Sequence, residues 1–319
     1  MQLPINGVGK ANTLQSTIQF SQASLQDFVD CRRRFQLRYL YRLAWPSLEA
    51  EPALENERAM QQGALFHHMI RQHLSGVPAE RLKAMVKGED LSRWWGNYMA
   101  CVPELISLGD NRILRTSGQV QDGFIYPEVM LASTVSQHRL VAVYDLIRVY
   151  PKQRALIIDW KTSRKRTGRA WLSERLQTRV YPYLLVKAGT HLNQYQPGIG
   201  QPKNGQPNIG QPFSPEQVEM IYWFAEYPAE RSMLQRFTYD TSRYYEDEKY
   251  LVALINEIAT LGEADFPLTP HIERCKFCTY RSLCERGIRA GAFDEVEETG
   301  MSGEVEPDFD YEQISEIAV

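Results

Sequence analysis

The sequence predicts an α/β fold, and three observations carry that prediction. Two segments rich in Val, Ile, Leu and Tyr, Phe124–Ser133 and Arg139–Tyr150, lead through the turn Tyr150-Pro-Lys-Gln-Arg154 into a third apolar run, Arg154–Ser163, as strand, strand and hairpin partner. A second pair of strand-like runs lies at 217–226 and 232–239. Helical stretches at 24–39, 57–74, 78–116, 171–188 and 241–261 surround them. With 319 residues, 43% of them apolar, the chain can bury a sizeable core.

In chain order, Ser24-Leu-Gln-Asp27 resembles a capping-box helix start with Asp in place of Glu. Phe28, Cys31, Phe35 and Tyr39, spaced 3, 4 and 4, share one helical face, which turns Cys31 inward. The other side carries Arg32, Arg33, Arg34, Arg38 and Arg42, a basic stripe interleaved with Tyr39 and Tyr41. In the second helix, Gly63-Ala-Leu-Phe-His-His68 sets two histidines in an apolar context, where a core histidine is commoner than a ligand. Trp94 and Trp95 read as core of the third.

Alternation in the second strand puts Val141, Val143, Asp145, Ile147 and Val149 on one face. A buried carboxylate without a partner costs several kcal/mol, so Asp145 calls for a cation. The hairpin sets it beside Asp159, neighbouring strands being about 4.8 Å apart. Asp159 and Lys161, two residues apart, face one way; Ile158 and Trp160 face the other. Gln177 and Tyr181, at i and i+4, share a face of the next helix, which Pro182 is expected to kink. Residues 194–213, a Gln-Pro/Gly repeat, read as a flexible insertion, and Pro267 and Pro270 end the long helix before Cys275-x2-Cys278-x5-Cys284.

The net charge of -3 hides an asymmetry: every Lys and Arg lies at or before Arg289, while residues 290–319 hold ten acids. Residues 1–289 are therefore basic, a weak pointer to a polyanion and equally consistent with ordinary solvated charge. The acidic end reads as a disordered solubilising tail, or as a segment competing for a basic groove. No basic-then-apolar leader and no apolar run of ~20 residues is present, so the sequence predicts a soluble cytoplasmic protein without a membrane partner. Five scattered cysteines argue against a disulfide framework.

Two constellations follow. His67, Asp145, Asp159 and Lys161 could form a hard-oxygen Mg²⁺ or Mn²⁺ site, with the backbone carbonyl of Trp160 as a further donor; such a site can hydrolyse a phosphodiester. On spacing alone, a buried ion pair between Asp145 and Lys161 is the commoner arrangement. The second is Cys31 with Cys275, Cys278 and Cys284, which would clip the first helix to the end of the fold and leave Cys101 a plain buried thiol. Residue types leave zinc and iron–sulfur open.

Taken in this order, Cys31 with Arg-Arg-Arg-Phe, Gly63-x-x-Phe-His67, Asp145, Ile158-Asp-Trp-Lys161, Gln177-x3-Tyr181 and the closing cysteines resemble the RecB-like branch of the PD-(D/E)XK nuclease superfamily. The resemblance is to its iron–sulfur members, of the CRISPR-associated exonuclease and AddB nuclease-domain type. It implies a restriction-endonuclease-like core: a central mixed β-sheet flanked by helices, with the N- and C-terminal segments joined by a [4Fe–4S] cluster on Cys31, Cys275, Cys278 and Cys284. It also implies His67, Asp145 and Asp159 as metal ligands, and Lys161 as catalytic lysine. Gln177, Tyr181 and Glu128 would support the site, and Arg32, Arg33 and Arg34 would meet DNA. The domains then read as an extension (1–20), a nuclease domain (21–292) and the tail (293–319). The expected activity is metal-dependent cleavage of DNA, as an exonuclease on single-stranded ends, in repair, recombination or CRISPR-type processing. The alternative is a non-catalytic iron–sulfur DNA-binding module. No Gly-x4-Gly-Lys-[Ser/Thr] loop is present, so any helicase or recombination or CRISPR partner would be a separate protein.

Overall fold

The chain enters the fold through a two-residue strand, β1 (Phe20–Ser21), and turns at once into helix α1 (Gln22–Asp30). A computed structural model describes residues 18–44, 53–107, 123–163, 167–193, 210–227 and 234–287. Residues 1–17 of the expected extension, 108–116 of the third helical stretch, 194–209 of the Gln-Pro/Gly insertion and the acidic tail lie outside them.

The start of α1 corrects the sequence reading. Ser21, not Ser24, is the N-cap, and Ser24 fills the place of the usual Glu: its Oγ accepts from Ser21 N–H at 2.8 Å while Ser21 Oγ accepts from Ser24 N–H at 3.2 Å. The helix also breaks where continuity was expected. Cys31 adopts an extended backbone (φ -162°, ψ 107°), and α2 (Arg32–Phe35) restarts after it before a π-helical turn at Gln36–Leu40. Phe28 and Phe35 nevertheless both reach the core.

Helix α3 (Ala53–Leu74) follows, then α4 (Ala79–Lys83) and α5 (Glu89–Ser107) in place of one expected helix. Gly88 at φ +86° makes the break between α4 and α5, a conformation that side chains with a Cβ disfavour. Strands β2 (Phe124–Val135), β3 (His138–Tyr150) and β4 (Arg154–Lys161) are antiparallel neighbours, and the turn closes by Gln153 N–H to Tyr150 C=O at 2.9 Å. Helices α6 (Arg169–Glu174) and α7 (Leu176–Ala188) lead to β5 (Val218–Phe224), β6 (Leu234–Thr238) and α8 (Thr241–Thr260). Helix α7 continues through Pro182.

The sheet is mixed, in the order β1-β3-β4-β5-β6, with β2 along the other edge of β3. Alternation sends successive residues to two cores. Ala155 and Ile157 of β4 join Phe28, Val180, Tyr183 and Leu251 beneath α1, α7 and α8, while Leu156, Ile158 and Trp160 join Phe66, Trp94, Tyr98 and Trp223 against α3 and α5. The result is a central mixed sheet between helical layers, consistent with the restriction-endonuclease-like fold. Among the described residues no helix is long and apolar enough to cross a membrane.

One feature of the sheet prepares the site. Along one edge of β3, β1 pairs at Leu140 and Val141 and β4 pairs from Leu146 to Tyr150. Val143 to Asp145 lie between these two partners, where the edge is open to side chains.

Candidate active site

Strand β4 delivers its charged end into that opening. Period-two alternation carries the face of Ala155 and Ile157 on to Asp159 and Lys161, whose side chains are only 5% and 11% exposed. Lys161 Nζ lies 2.8 Å from Asp159 Oδ2 and 5.2 Å above the ring of Tyr222. Asp145 occupies the gap in β3. Its Oδ2 accepts the backbone N–H of Trp160 at 2.8 Å, so the carboxylate bridges the two strands where their pairing ends.

Helix α7 fastens this arrangement twice. Gln177 Nε2 donates to Asp159 Oδ1 at 2.6 Å, and Gln177 Oε1 accepts from Lys161 Nζ at 3.0 Å, so one amide matches both charges of the pair. One turn later, Tyr181 Oη donates to the Val143 carbonyl at 2.8 Å while Tyr144 Oη donates to the Tyr181 carbonyl at 2.9 Å. Gln177 thus holds β4 and Tyr181 holds β3. The sequence reading missed Tyr144; its place next to Asp145 was the available signal.

Helix α3 brings the remaining groups. His67 Nδ1 lies 3.1 Å from Asp145 Oδ1, and both side chains are half-buried. Burial alone would raise the Asp145 pKa, but His67, the Trp160 N–H and Lys161 outweigh it and hold the carboxyl below its ordinary value. His68 turns instead to Arg71 (2.9 Å). Gly63 permits this approach, because a Cβ there would come within 2.9 Å of Thr162 Oγ1. Glu128 lies between the pairs Pro127↔Leu146 and Val129↔Tyr144, hence opposite Asp145, with φ +46°. Its Oε2 meets Arg71 Nε at 3.2 Å, and burial raises its pKa despite that cation. Arg71 went unnoticed in the sequence, although it stands one turn after His67 on the same helix.

The basic stripe needs correction. Arg34 is not a surface cation: it is 8% exposed and paired with Asp27 (2.8 Å) and Asp30 (3.0 Å). Arg32 pairs with Glu257, Arg33 donates to Gln36, and Arg38 pairs with Asp27 at 3.3 Å. The acids of α1 and α8 take up much of the charge that the sequence appeared to offer to a ligand.

Cys31, Cys275, Cys278 and Cys284 come from the two ends of the described fold to one neighbourhood. The thiol of Cys278 is pushed up to about 11, mainly by burial, with Cys284 and Cys31 adding to the effect; burial and Cys31 likewise raise Cys275 and Cys284. Cys101 is elsewhere, 2% exposed in the core beneath α5.

A family model for the PD-(D/E)XK nuclease superfamily matches residues 19–285, most of the chain. The chain belongs to the PD-(D/E)XK nuclease superfamily. No curated protein matches this nuclease. Two solved structures resemble it. The protein SSO0001 is 14% identical, with a TM-score of 0.36 over 88% of this chain and 89% of that one. A candidate exonuclease from Eubacterium rectale is 9% identical, with a TM-score of 0.41 over 81% and 85%.

Nucleases of this superfamily use divalent metals. The donors at the opening suit a hard cation in kind: the carboxylates of Asp145 and Asp159, an imidazole, and the backbone of Trp160 at the same strand edge. Among the described residues, however, no three His, Cys, Asp or Glu side chains are gathered as a coordination shell. At the opening in β3 each carboxylate is turned onto protein donors, Asp159 onto Lys161 and Gln177, Asp145 onto His67 and Trp160. The four thiols, neighbours without convergence, suit a thiophilic group in the same sense.

Proposed function

We propose that this nuclease hydrolyses phosphodiester bonds of DNA as a metal-dependent exonuclease on single-stranded ends, of the RecB-like, iron–sulfur type. The observation that carries the reading is the Gln177 amide spanning Asp159 and Lys161 beside the Asp145–His67 pair. A purely structural ion pair would need no second acid–base pair at an open strand edge.

On this reading His67, Asp145, Asp159 and the Trp160 carbonyl would hold Mg²⁺ or Mn²⁺, which supplies Lewis-acid polarisation of a phosphate and acidification of water. Lys161, paired with Asp159 and directed by Gln177, stabilises negative charge developing on the phosphate or orients the attacking water. Glu128 and Tyr181 keep β2 and β3 in place around Asp145. Arg32 and Arg33, at the half-buried surface of α2, would contact the DNA backbone, whereas Arg34 serves the fold. Cys31, Cys275, Cys278 and Cys284 would hold a [4Fe–4S] cluster joining the two ends of a domain covering residues 21–292. The protein would be cytoplasmic and work beside a helicase or a recombination or CRISPR partner.

Labelled single- and double-stranded DNA, incubated with Mn²⁺, Mg²⁺ or chelator, tests the activity. Cleavage of single-stranded ends that requires metal, and is lost in Asp159→Ala and Lys161→Ala while DNA binding persists, is the expected result. Persistent metal-dependent cleavage in both variants would sink the site assignment. Binding without cleavage by the unaltered chain would mark a non-catalytic DNA-binding module. Anaerobic purification should give brown protein with about four irons; colourless protein carrying zinc would refute the cluster.

A further inference from the structure

Helix α7, which carries Gln177 to the site, has no cap of its own. Its N-cap residue is Arg175, whose side chain makes no capping hydrogen bond, so the first N–H groups of the helix need partners from elsewhere. One comes from α1, 150 residues away: Gln26 Oε1 accepts the N–H of Leu176 at 3.1 Å. The other end of the same amide, Gln26 Nε2, donates to Asp30 Oδ1 at 3.1 Å. Gln26 and Asp30 are 8% and 6% exposed.

The orientation of this amide is dictated by charge. Asp30 is surrounded by the guanidinium groups of Arg34 (3.0 Å), Arg274 (3.2 Å) and Arg175 (3.8 Å), all donors, so its carboxylate serves as the acceptor at the centre of the cluster. Gln26 must therefore present Nε2 to Asp30 and Oε1 to Leu176. Leu176 is followed directly by Gln177, whose amide is oriented in the same way between Asp159 and Lys161.

We infer that Gln26 is a positioning residue of the nuclease site, anchoring the first turn of α7 at the place from which Gln177 bridges Asp159 and Lys161. The inference rests on the reading of that pair as catalytic. Gln26 does not touch the reacting groups; it acts through Leu176 and Gln177, and errors in the place of a supporting residue are transmitted to the groups it supports. Residues flanking the cysteines belong to the same network, since Asp30 precedes Cys31 and Arg274 precedes Cys275.

Two variants separate positioning from bulk stability. Gln26→Leu removes both polar ends at similar size, whereas Gln26→Glu combined with Asp30→Asn keeps an acceptor for the Leu176 N–H and sets an amide donor, not a like charge, against the new carboxylate. With metal and labelled DNA, Gln26→Leu should lower kcat about tenfold, the effect of one lost hydrogen bond, with KM retained, and the double variant should keep most of the rate. Hydrogen exchange at the amides of Leu176–Val180 is followed in all three proteins: exchange should quicken in Gln26→Leu and stay at the original rate in the double variant. Unchanged kcat and exchange in Gln26→Leu, or an equal loss in both variants, would overturn the inference. If the unaltered chain cleaves no DNA, the proposed function fails, while the exchange rates still decide the role of Gln26.

Discussion

Deleting one hydroxyl at a time from the Tyr144–Tyr181 clamp should expose how firmly β3 is held at the site. Tyr181→Phe removes the donor to the Val143 carbonyl, and Tyr144→Phe removes the donor to the Tyr181 carbonyl; the rings themselves stay, 4.7 Å apart. Both side chains are nearly sealed, at 4% and 0% exposure, so water cannot simply replace either donor. Each loss should cost about 0.5–1.5 kcal/mol, toward the upper end where the abandoned carbonyl stays buried. For a domain of this size each kcal/mol lowers Tm by roughly 2–4 °C, so the double variant should melt about 4–8 °C lower. Because the rings touch, the two losses should not add fully, and a double-mutant cycle measures the difference. Melting followed by circular dichroism is the assay, with metal-dependent cleavage read on the same samples. Tyr181→Phe should also slow cleavage, since Val143 stands two residues before Asp145. Unaltered melting and unaltered cleavage in Tyr181→Phe would show that α7 is not held through this contact.

Gly63→Ala should destabilise the protein by about 1–3 kcal/mol and weaken cleavage, because the new Cβ meets Thr162 Oγ1 at 2.9 Å; adding Thr162→Ala should restore both, and failure of that rescue would refute the steric account. Asp247→Ala should cost about 3–5 kcal/mol in urea unfolding, since a fully buried carboxylate there joins Arg179 (2.8 Å), Arg243 (3.4 Å) and Tyr239 (3.1 Å); a loss below about 1 kcal/mol would contradict it. Cys101→Ala should leave the metal content of anaerobically purified protein unchanged, whereas Cys278→Ser should lower it; equal effects would remove the distinction between the two cysteine environments.

What could be read from the sequence was what local periodicity controls. Alternation in β4 gave Asp159 and Lys161 one face, and the turn at Pro151 gave the hairpin. In β3 the expected single row fails, because Leu140, Ala142 and Tyr144 enter the same core as Ile147 and Val149, a change of phase at Asp145. The helical i, i+4 spacing gave Gln177 and Tyr181 a common face, though not the different strands they grip. Cys31 misled, because a spacing of 3, 4 and 4 describes an unbroken helix just as well as two helices meeting at an extended residue. Arg34 misled for another reason: it looked like one of a row of surface cations until Asp27 and Asp30 closed on it. The start of α7 could not be seen locally at all, since its capping oxygen belongs to Gln26. His67 and His68 were indistinguishable by composition; in the fold His67 meets Asp145 while His68 meets Arg71.

The two grips of α7 also bear on how the sheet finds its alignment. A hairpin closed one residue out would turn Asp159 and Lys161 to the far face and offer Trp160 to Gln177 instead. The amide would then sit buried with both polar ends unanswered, a cost of several kcal/mol, and Tyr181 would still be clasping β3 one turn away. Helix docking therefore discriminates between alignments that differ little in backbone pairing, and the alignment it accepts is the one in which Gln177 spans Asp159 and Lys161.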